Sequence, residues 1–267
     1  MSQTHSKPVL LIKTGGTLPE TRDEFGDFEE WFARGLGMPG MHQADVFRGE
    51  APPDNPQAFS GVIVTGSASM VSHREEWSER TGEWLARAVH AGLPVLGVCY
   101  GHQLLAQSLG GVVGPNPRGR QIGTQRIDLL PAASSDPLMC QLGATLAVQT
   151  THVESVHELP PGAVRLATSP RDENHAFRFG ERAWGLQFHP EFGAEVMRGY
   201  IRARSEVIRS EGHDPDAIEA GVSETPIAHG LLGRFAALVA GALESESEFG
   251  RPWVRDPQGA KVVQLAD

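Results

Sequence analysis

The chain has 267 residues, with Lys+Arg 23 against Asp+Glu 33 and a formal net charge of −10; so acidic a balance, with no basic cluster, excludes a nucleic-acid surface. With 40% hydrophobic and 21% charged residues, it has an ordinary globular makeup and enough length for one sizeable core, or a core plus a small appendage. No apolar run reaches membrane-spanning length, and the polar start from Met1 to Pro8 lacks the apolar stretch of a signal peptide, so a cytoplasmic protein that does not engage a membrane is expected.

Val9 to Lys13 reads as a buried strand running into the turn Thr14-Gly-Gly-Thr17, at the edge where open α/β sheets place their ligands. Asp27 is placed to cap a helix through Trp31 and Phe32 that ends near Gly35 to Gly37. Ala44 to Arg48 is expected as a second strand, Gly49 to Ser60 as a proline-rich loop, and Gly61 to Val64 as a third strand ending in Thr65-Gly-Ser-Ala-Ser69. Trp77, Trp84, Leu85 and Ala88 keep helical spacing up to Gly92. Leu93 to Val98 is the next strand, and Leu104, Leu105, Ala106 and Leu109 mark the helix after it.

This alternation predicts an α/β fold, a doubly wound, mostly parallel sheet with flanking helices. Gly110 to Gly123 reads as a loop whose Arg118 and Arg120 are expected to be solvated, attraction of a carboxylate being the alternative, and Gln125 to Leu130, Thr145 to Gln149 and Val164 to Ala167 as further strands. A hairpin is expected from Ala176-Phe-Arg-Phe179, the turn Gly180-Glu181, and Arg182 to Phe188. Glu195 to Ile208 reads as a helix, and Thr225-Pro226 as the start of another, with Ile227, Leu231, Phe235, Leu238 and Val239 on its apolar face. The expected division is an α/β domain over 1–209 and a helical extension and tail over 210–267, polar and extended from Ser245 onward.

The chemistry centres on Gly97-Val-Cys-Tyr-Gly101, where Cys99 falls on the turn between a strand and a helix. A lone cysteine is most often a small buried hydrophobe. Here small residues on both sides make the thiol version of a nucleophile elbow, with the sulfur at the positive end of the following helix. The second cysteine, Cys140, is expected as core filler on a short helix, unpaired with Cys99. A nucleophilic thiol needs a base, and the base an orienting group. In Gln187-Phe-His-Pro-Glu191, His189 and Glu191 are two apart, so an extended backbone sends both side chains to one face. Metal ligation is not expected, since no His-x-x-x-His or clustered-cysteine spacing occurs, and no nucleotide-cradling loop implies a cofactor.

Those residues, with Val62-Ile-Val-Thr-Gly-Ser67 and Gly101-His-Gln103, resemble the class I, triad-type glutamine amidotransferase domain over roughly residues 8 to 205. The resemblance implies Cys99 as nucleophile, His189 as base and Glu191 as its orienter. It implies an oxyanion hole from backbone N–H groups of Gly66 or Ser67 and of Tyr100, and a contact of Gln103 with the substrate's amino-acid end. Thr151-His-Val-Glu-Ser-Val156 is similar to a family stretch that walls the pocket, while the residues themselves read as a loop in which His152 and His157 are polar surface groups rather than ligands. Thr14 to Thr17 is also similar to a threonine motif of asparaginases, but no Thr-Asp-Thr signature follows. The expected activity is hydrolysis of the glutamine γ-amide, with cleavage of γ-glutamyl conjugates as the alternative. The expected partners are that small molecule and a separately encoded synthase subunit, with the oligomeric state left open. A non-catalytic binding module on the same scaffold is the reading from another class, and retention of all three triad residues weighs against it.

Overall fold

Four short apolar runs make the centre of the sheet, and every residue of β1 (Val9–Lys13), β3 (Gly61–Val64), β4 (Val95–Val98) and β11 (Ala183–Leu186) is buried. Strands covered on both faces belong in a parallel sheet, because crossover helices pack on each side. The computed structural model describes residues 7–38 and 40–241, together with the backbone of 254–255 and 261–262. Between those strands run α1 (Pro19–Phe25), α2 (Phe28–Leu36), β2 (His42–Asp45), α3 (Glu76–His90), α4 (Tyr100–Ser108), β5 (Val112–Pro115), β6 (Gln121–Leu129), β7 (Thr145–His152), β8 (Glu154–Glu158), β9 (Val164–Ser169) and β10 (Asp172–Phe179). After β11 come α5 (Ala194–Ala203), α6 (Ser205–Ser210), α7 (Pro215–Ala220) and α8 (Pro226–Val239).

The main sheet has the order β2-β1-β3-β4-β11-β10-β9-β6-β7. Five of its nine strands, β2 through β11, run parallel, and the remaining four continue it as an antiparallel extension. The sheet is thus mixed and mostly parallel, with the order of a flavodoxin-like fold in its parallel half. Alternate residues feed opposite faces. Leu10, Ile12, Val62, Val64 and Val95 pack with Trp84, Leu85, Leu104 and Leu105 of α3 and α4. Val9, Leu11, Ile63, Leu96 and Val98 pack with Phe28, Trp31 and Phe32 of α2 and with Leu231, Leu232 and Phe235 of α8.

Helix α2 starts as expected at Asp27, whose carboxylate accepts the Phe28 N–H at 2.8 Å while Glu30 reaches back to the Asp27 N–H, a capping box. Helix α8 lies where its apolar face requires, although Thr225 supplies no side-chain cap and contributes only its backbone carbonyl to His229. Several local expectations need correction. The second strand is His42–Asp45, and Val46–Arg48 form a 3-10 turn that buries Val46 and closes at Gly49 with φ 93°. Gly110 to Gly123 is no open loop, because β5 pairs antiparallel with the distant β8. Cys140 sits in a turn rather than a helix, since Asp136 Oδ1 accepts the N–H groups of Leu138 and Met139 and folds the segment back. The helix expected from Glu195 to Ile208 breaks at Arg204, whose guanidinium folds back over the Tyr200 ring, 5.3 Å from its centroid. Of the tail expectation for 245–267, only the two-residue pair of 254–255 with 261–262 falls within the described residues. No described helix is long and apolar enough to cross a membrane.

Because Phe235 is fully buried and meets Trp184 edge-on at 6.3 Å, α8 is joined to the α/β unit through the core. Phe235→Ala should lower unfolding free energy by about 3–5 kcal/mol, read as a shifted urea midpoint in a single transition. A separate early transition for α8 would show that it is only appended.

Candidate active site

The carboxyl edge of the parallel strands brings four segments together: the turns after β1, β3 and β4 and the segment after β11. Cys99 follows β4 directly and has φ 53° and ψ −102°. A non-glycine residue there carries strain of about 1–3 kcal/mol, which the surroundings must over-determine. Two glycines make that possible. A methyl group at Gly97 would overlap the Gly101 carbonyl, and one at Gly101 would overlap the Val64 carbonyl. The first turn of α4 therefore lies against the ends of β3 and β4, held by Gly101 N–H to Thr65 O at 3.1 Å and Cys99 N–H to Leu186 O at 2.8 Å.

β11 is the parallel neighbour of β4, with Leu186 opposite Val98. The two chains leave the sheet side by side, and this register delivers His189 to the neighbourhood of Cys99. The His189 N–H is anchored on Gln149 O at 2.8 Å. Its Nδ1–H donates to Glu191 Oε1 at 2.7 Å, with both residues buried. Nε2 is left without a hydrogen-bond partner. The ring stacks on Phe192 at 4.1 Å, and Phe28 lies 6.5 Å from it and 6.3 Å from Phe192, completing an aromatic cluster.

Burial works to lower the pKa of this imidazole, but charge and hydrogen bonding from the neighbouring Glu191 carboxylate and Cys99 sulfur outweigh it and raise the pKa above its ordinary value. His102 and His152 behave oppositely: burial takes them down to about 3 and about 4. Of these three rings, His189 is thus the one whose surroundings favour the protonated form. The Cys99 sulfur also lies 3.7 Å from Thr151 O, so the stretch expected to wall the pocket touches it through the backbone.

The N–H of Tyr100, first in α4, has no acceptor within its own helix. Its side chain points elsewhere, with the hydroxyl bonded to Ser78 at 2.6 Å and the ring stacked on Trp77. Gly66 borders the histidine, since a Cβ there would lie 3.0 Å from His189 Cε1. Ser67 caps its own turn by accepting the Ser69 N–H at 3.1 Å. Gln103 is buried and spends its amide nitrogen internally, on Glu154 O at 2.9 Å and Gln187 Oε1 at 3.0 Å. Arg120 is held by Glu211 at 2.8 Å and Arg118 by the Pro170 carbonyl.

Sequence reasoning missed the supports. Thr14 pins the β3 turn through its hydroxyl, which reaches Thr65 O at 2.9 Å and Gly66 O at 3.0 Å. Asp27 does more than cap α2: it also accepts the Thr17 N–H at 2.9 Å and pairs with buried Lys13 at 2.8 Å. A cleft of about 620 Å³ opens over this pair, lined by Lys13, Thr17, Arg22, Asp27, Glu29 and Arg48 among others, but by none of Cys99, His189 and Glu191. Only the glycines of Thr14 to Thr17 and the acid of Asp27 were visible signals; that they would meet β3 and Lys13 was not.

The chain matches the model of the class-I glutamine amidotransferase family over residues 22–205. It is 29% identical over 179 residues to gamma-glutamyl peptidase 5 of Arabidopsis thaliana, covering 65% of this chain and 71% of that protein. Over 212 residues it is 34% identical to the glutamine-hydrolyzing GMP synthase of Aeropyrum pernix, covering 75% of this chain but 37% of that one. The crystal structure of a glutamine amidotransferase from Thermotoga maritima superposes with a TM-score of 0.72 at 23% identity, over 90% of this chain and 100% of that one, which shows a shared fold. With most of its length matched by the family model and its fold that of a solved glutamine amidotransferase, the chain belongs to the class-I glutamine amidotransferase family.

Proposed function

We propose that the chain hydrolyses the γ-glutamyl amide of a small molecule, most simply glutamine, through a thioester on Cys99. The observation that carries this reading is the meeting, at one sheet edge, of a strained Cys99 with a His189 whose Nδ1 is held by Glu191 at 2.7 Å. The proton shared by Cys99 and His189 lies on Nε2, where the raised pKa of the ring favours it, when the thiolate attacks the γ-carbonyl carbon. The oxyanion formed is met by the N–H groups of Tyr100 and of Gly66 or Ser67, each such donor contributing about 3–4 kcal/mol. The imidazolium gives its proton to the leaving nitrogen, the C–N bond breaks and ammonia departs. Water, deprotonated by the same ring, then cleaves the thioester to glutamate and free thiol.

Similarity to gamma-glutamyl peptidases of Arabidopsis thaliana over 71% and 72% of their length supports a second reading, in which the leaving group is the amine of a γ-glutamyl conjugate. In the first reading a separate synthase subunit in the cytoplasm receives the ammonia, as similarity to a glutamine-hydrolyzing GMP synthase subunit of Methanococcoides burtonii, 35% over 148 residues, suggests. Both readings share the triad and differ only in what leaves.

Cys99→Ala should reduce glutamate release by about 10⁴-fold or more, and a glutamine analogue bearing an electrophile should label Cys99 in the unmodified chain; turnover that survives the substitution removes the thioester route. Turnover of γ-glutamyl peptides with glutamine untouched would select the second reading. The raised His189 pKa also has a thermodynamic sign: the native state holds a proton that the unfolded chain releases near pH 6.5. That stabilisation is complete below the unfolded value and is lost as pH rises through the folded one. The melting temperature should therefore fall from pH 7 upward, and less steeply in Glu191→Gln; equal slopes would mean that the acid does not hold the proton.

A further inference from the structure

A second group of polar side chains is buried behind the wall that touches Cys99, and the proposed chemistry does not use it. His152 ends β7, while Asp172 and His175 lie in β10. One ligand atom of each comes within 4.8 Å of the other two. All three residues are at least nine-tenths buried, at 5%, 4% and 0% exposure. His152 Nε2, Asp172 Oδ2 and both nitrogens of His175 have no hydrogen-bond partner. Buried polar atoms are normally satisfied, so three unpartnered groups converging on one space call for an occupant.

The surroundings orient these atoms as a ligand set is oriented. His152 Nδ1–H donates to Glu154 O at 2.8 Å, which fixes the tautomer and leaves the buried Nε2 lone pair available to a ligand. Asp172 Oδ1 accepts the Asn174 N–H at 3.0 Å, leaving Oδ2 free. His175 is bracketed by Phe188, stacked at 6.1 Å, and by the His152 ring, edge-on at 6.0 Å. Residues three apart on a regular strand face opposite sides, but β10 carries a register shift against β9 between Asp172 and Ala176. That irregularity lets Asp172 and His175 share a side.

We propose that His152, Asp172 and His175 form a binding site for a divalent transition-metal ion of the zinc class. Two imidazole nitrogens and one carboxylate oxygen suit such an ion, with a fourth position for water. Bound there, the ion ties the end of β7 to the bulge of β10, one residue from the Thr151 carbonyl that meets the Cys99 sulfur. The site is independent of the γ-glutamyl reading and stands or falls apart from it.

The test must keep metal off the thiol, so the full-length chain carries Cys99→Ala and is stripped with chelator before titration with zinc or cobalt(II). One equivalent should bind, cobalt giving visible d–d absorption without a sulfur-to-cobalt charge-transfer band, and zinc raising the melting temperature. Asp172→Asn, which keeps the side chain's shape, and His175→Gln should each abolish both signals, with native folding checked by circular dichroism. If the Cys99→Ala chain takes up no equivalent of either metal, or if the folded Asp172→Asn and His175→Gln chains bind as well as their parent, the site does not exist and the space holds water.

Discussion

The closeness of α4 to the ends of β3 and β4 is the constraint on which the site depends. Cys99 keeps a left-handed backbone because the chain must turn from strand to helix within one residue, and Gly97 and Gly101 remove the side chains that would hold the two elements apart. Core packing on both sides of the sheet supplies the energy that maintains this strain: Leu104 and Leu105 anchor α4 on one face, while Val98 and Leu96 of the preceding strand bury on the other. For the proposed reaction, a thiol placed there by strand and helix needs no loop ordering beforehand, which lowers the entropic part of a barrier.

His189 is held by a different kind of force. Nothing covalent links His189 to the elbow, and the β4–β11 register only brings its backbone near. Its orientation comes from one charge-assisted hydrogen bond to Glu191 and from the aromatic cluster with Phe192 and Phe28. Phe28 is the first residue of α2, and α2 begins where it does because Asp27 caps it. Lys13 pairs with the same Asp27 carboxylate from the end of β1. A buried ion pair of this sort gives little net stability once desolvation is counted. Its effect is geometric, since it fixes where α2 starts and thereby one wall of the imidazole.

Legibility in the sequence followed range. The parallel strands, the elbow and the His189-x-Glu191 pair were readable because each is written within a few residues: apolar runs, flanking glycines, an extended two-residue spacing. What could not be read depended on partners far away in the chain. β5 looks like a loop until β8 pairs with it, and Gln103 resembles a free substrate contact until Glu154 and Gln187 are found on its nitrogen. His152, Asp172 and His175 show no metal-like spacing because a strand irregularity, not a repeat, brings them together. Cys140 misled for the opposite reason, as a local Asp136 turn replaced the short helix its neighbours suggested.

The parallel half of the sheet is generic to many chemistries, and fold alone does not choose a leaving group. That choice falls to whatever faces the scissile nitrogen. The backbone of Thr151 to Glu154 closes one side, with the Thr151 carbonyl on the sulfur and the Glu154 carbonyl already shared by Gln103 and His152. Carbonyls so committed make a stiff wall that can set distance but has little freedom to recognise different amines. Toward α2 the side chains are charged and varied, with Lys13, Asp27 and Glu29 partly neutralising one another and Arg22 and Arg48 beside them. Their cleft is lined by none of Cys99, His189 and Glu191, so under the proposed hydrolysis its charges bear only on a leaving group long enough to reach beyond the triad, which ammonia is not.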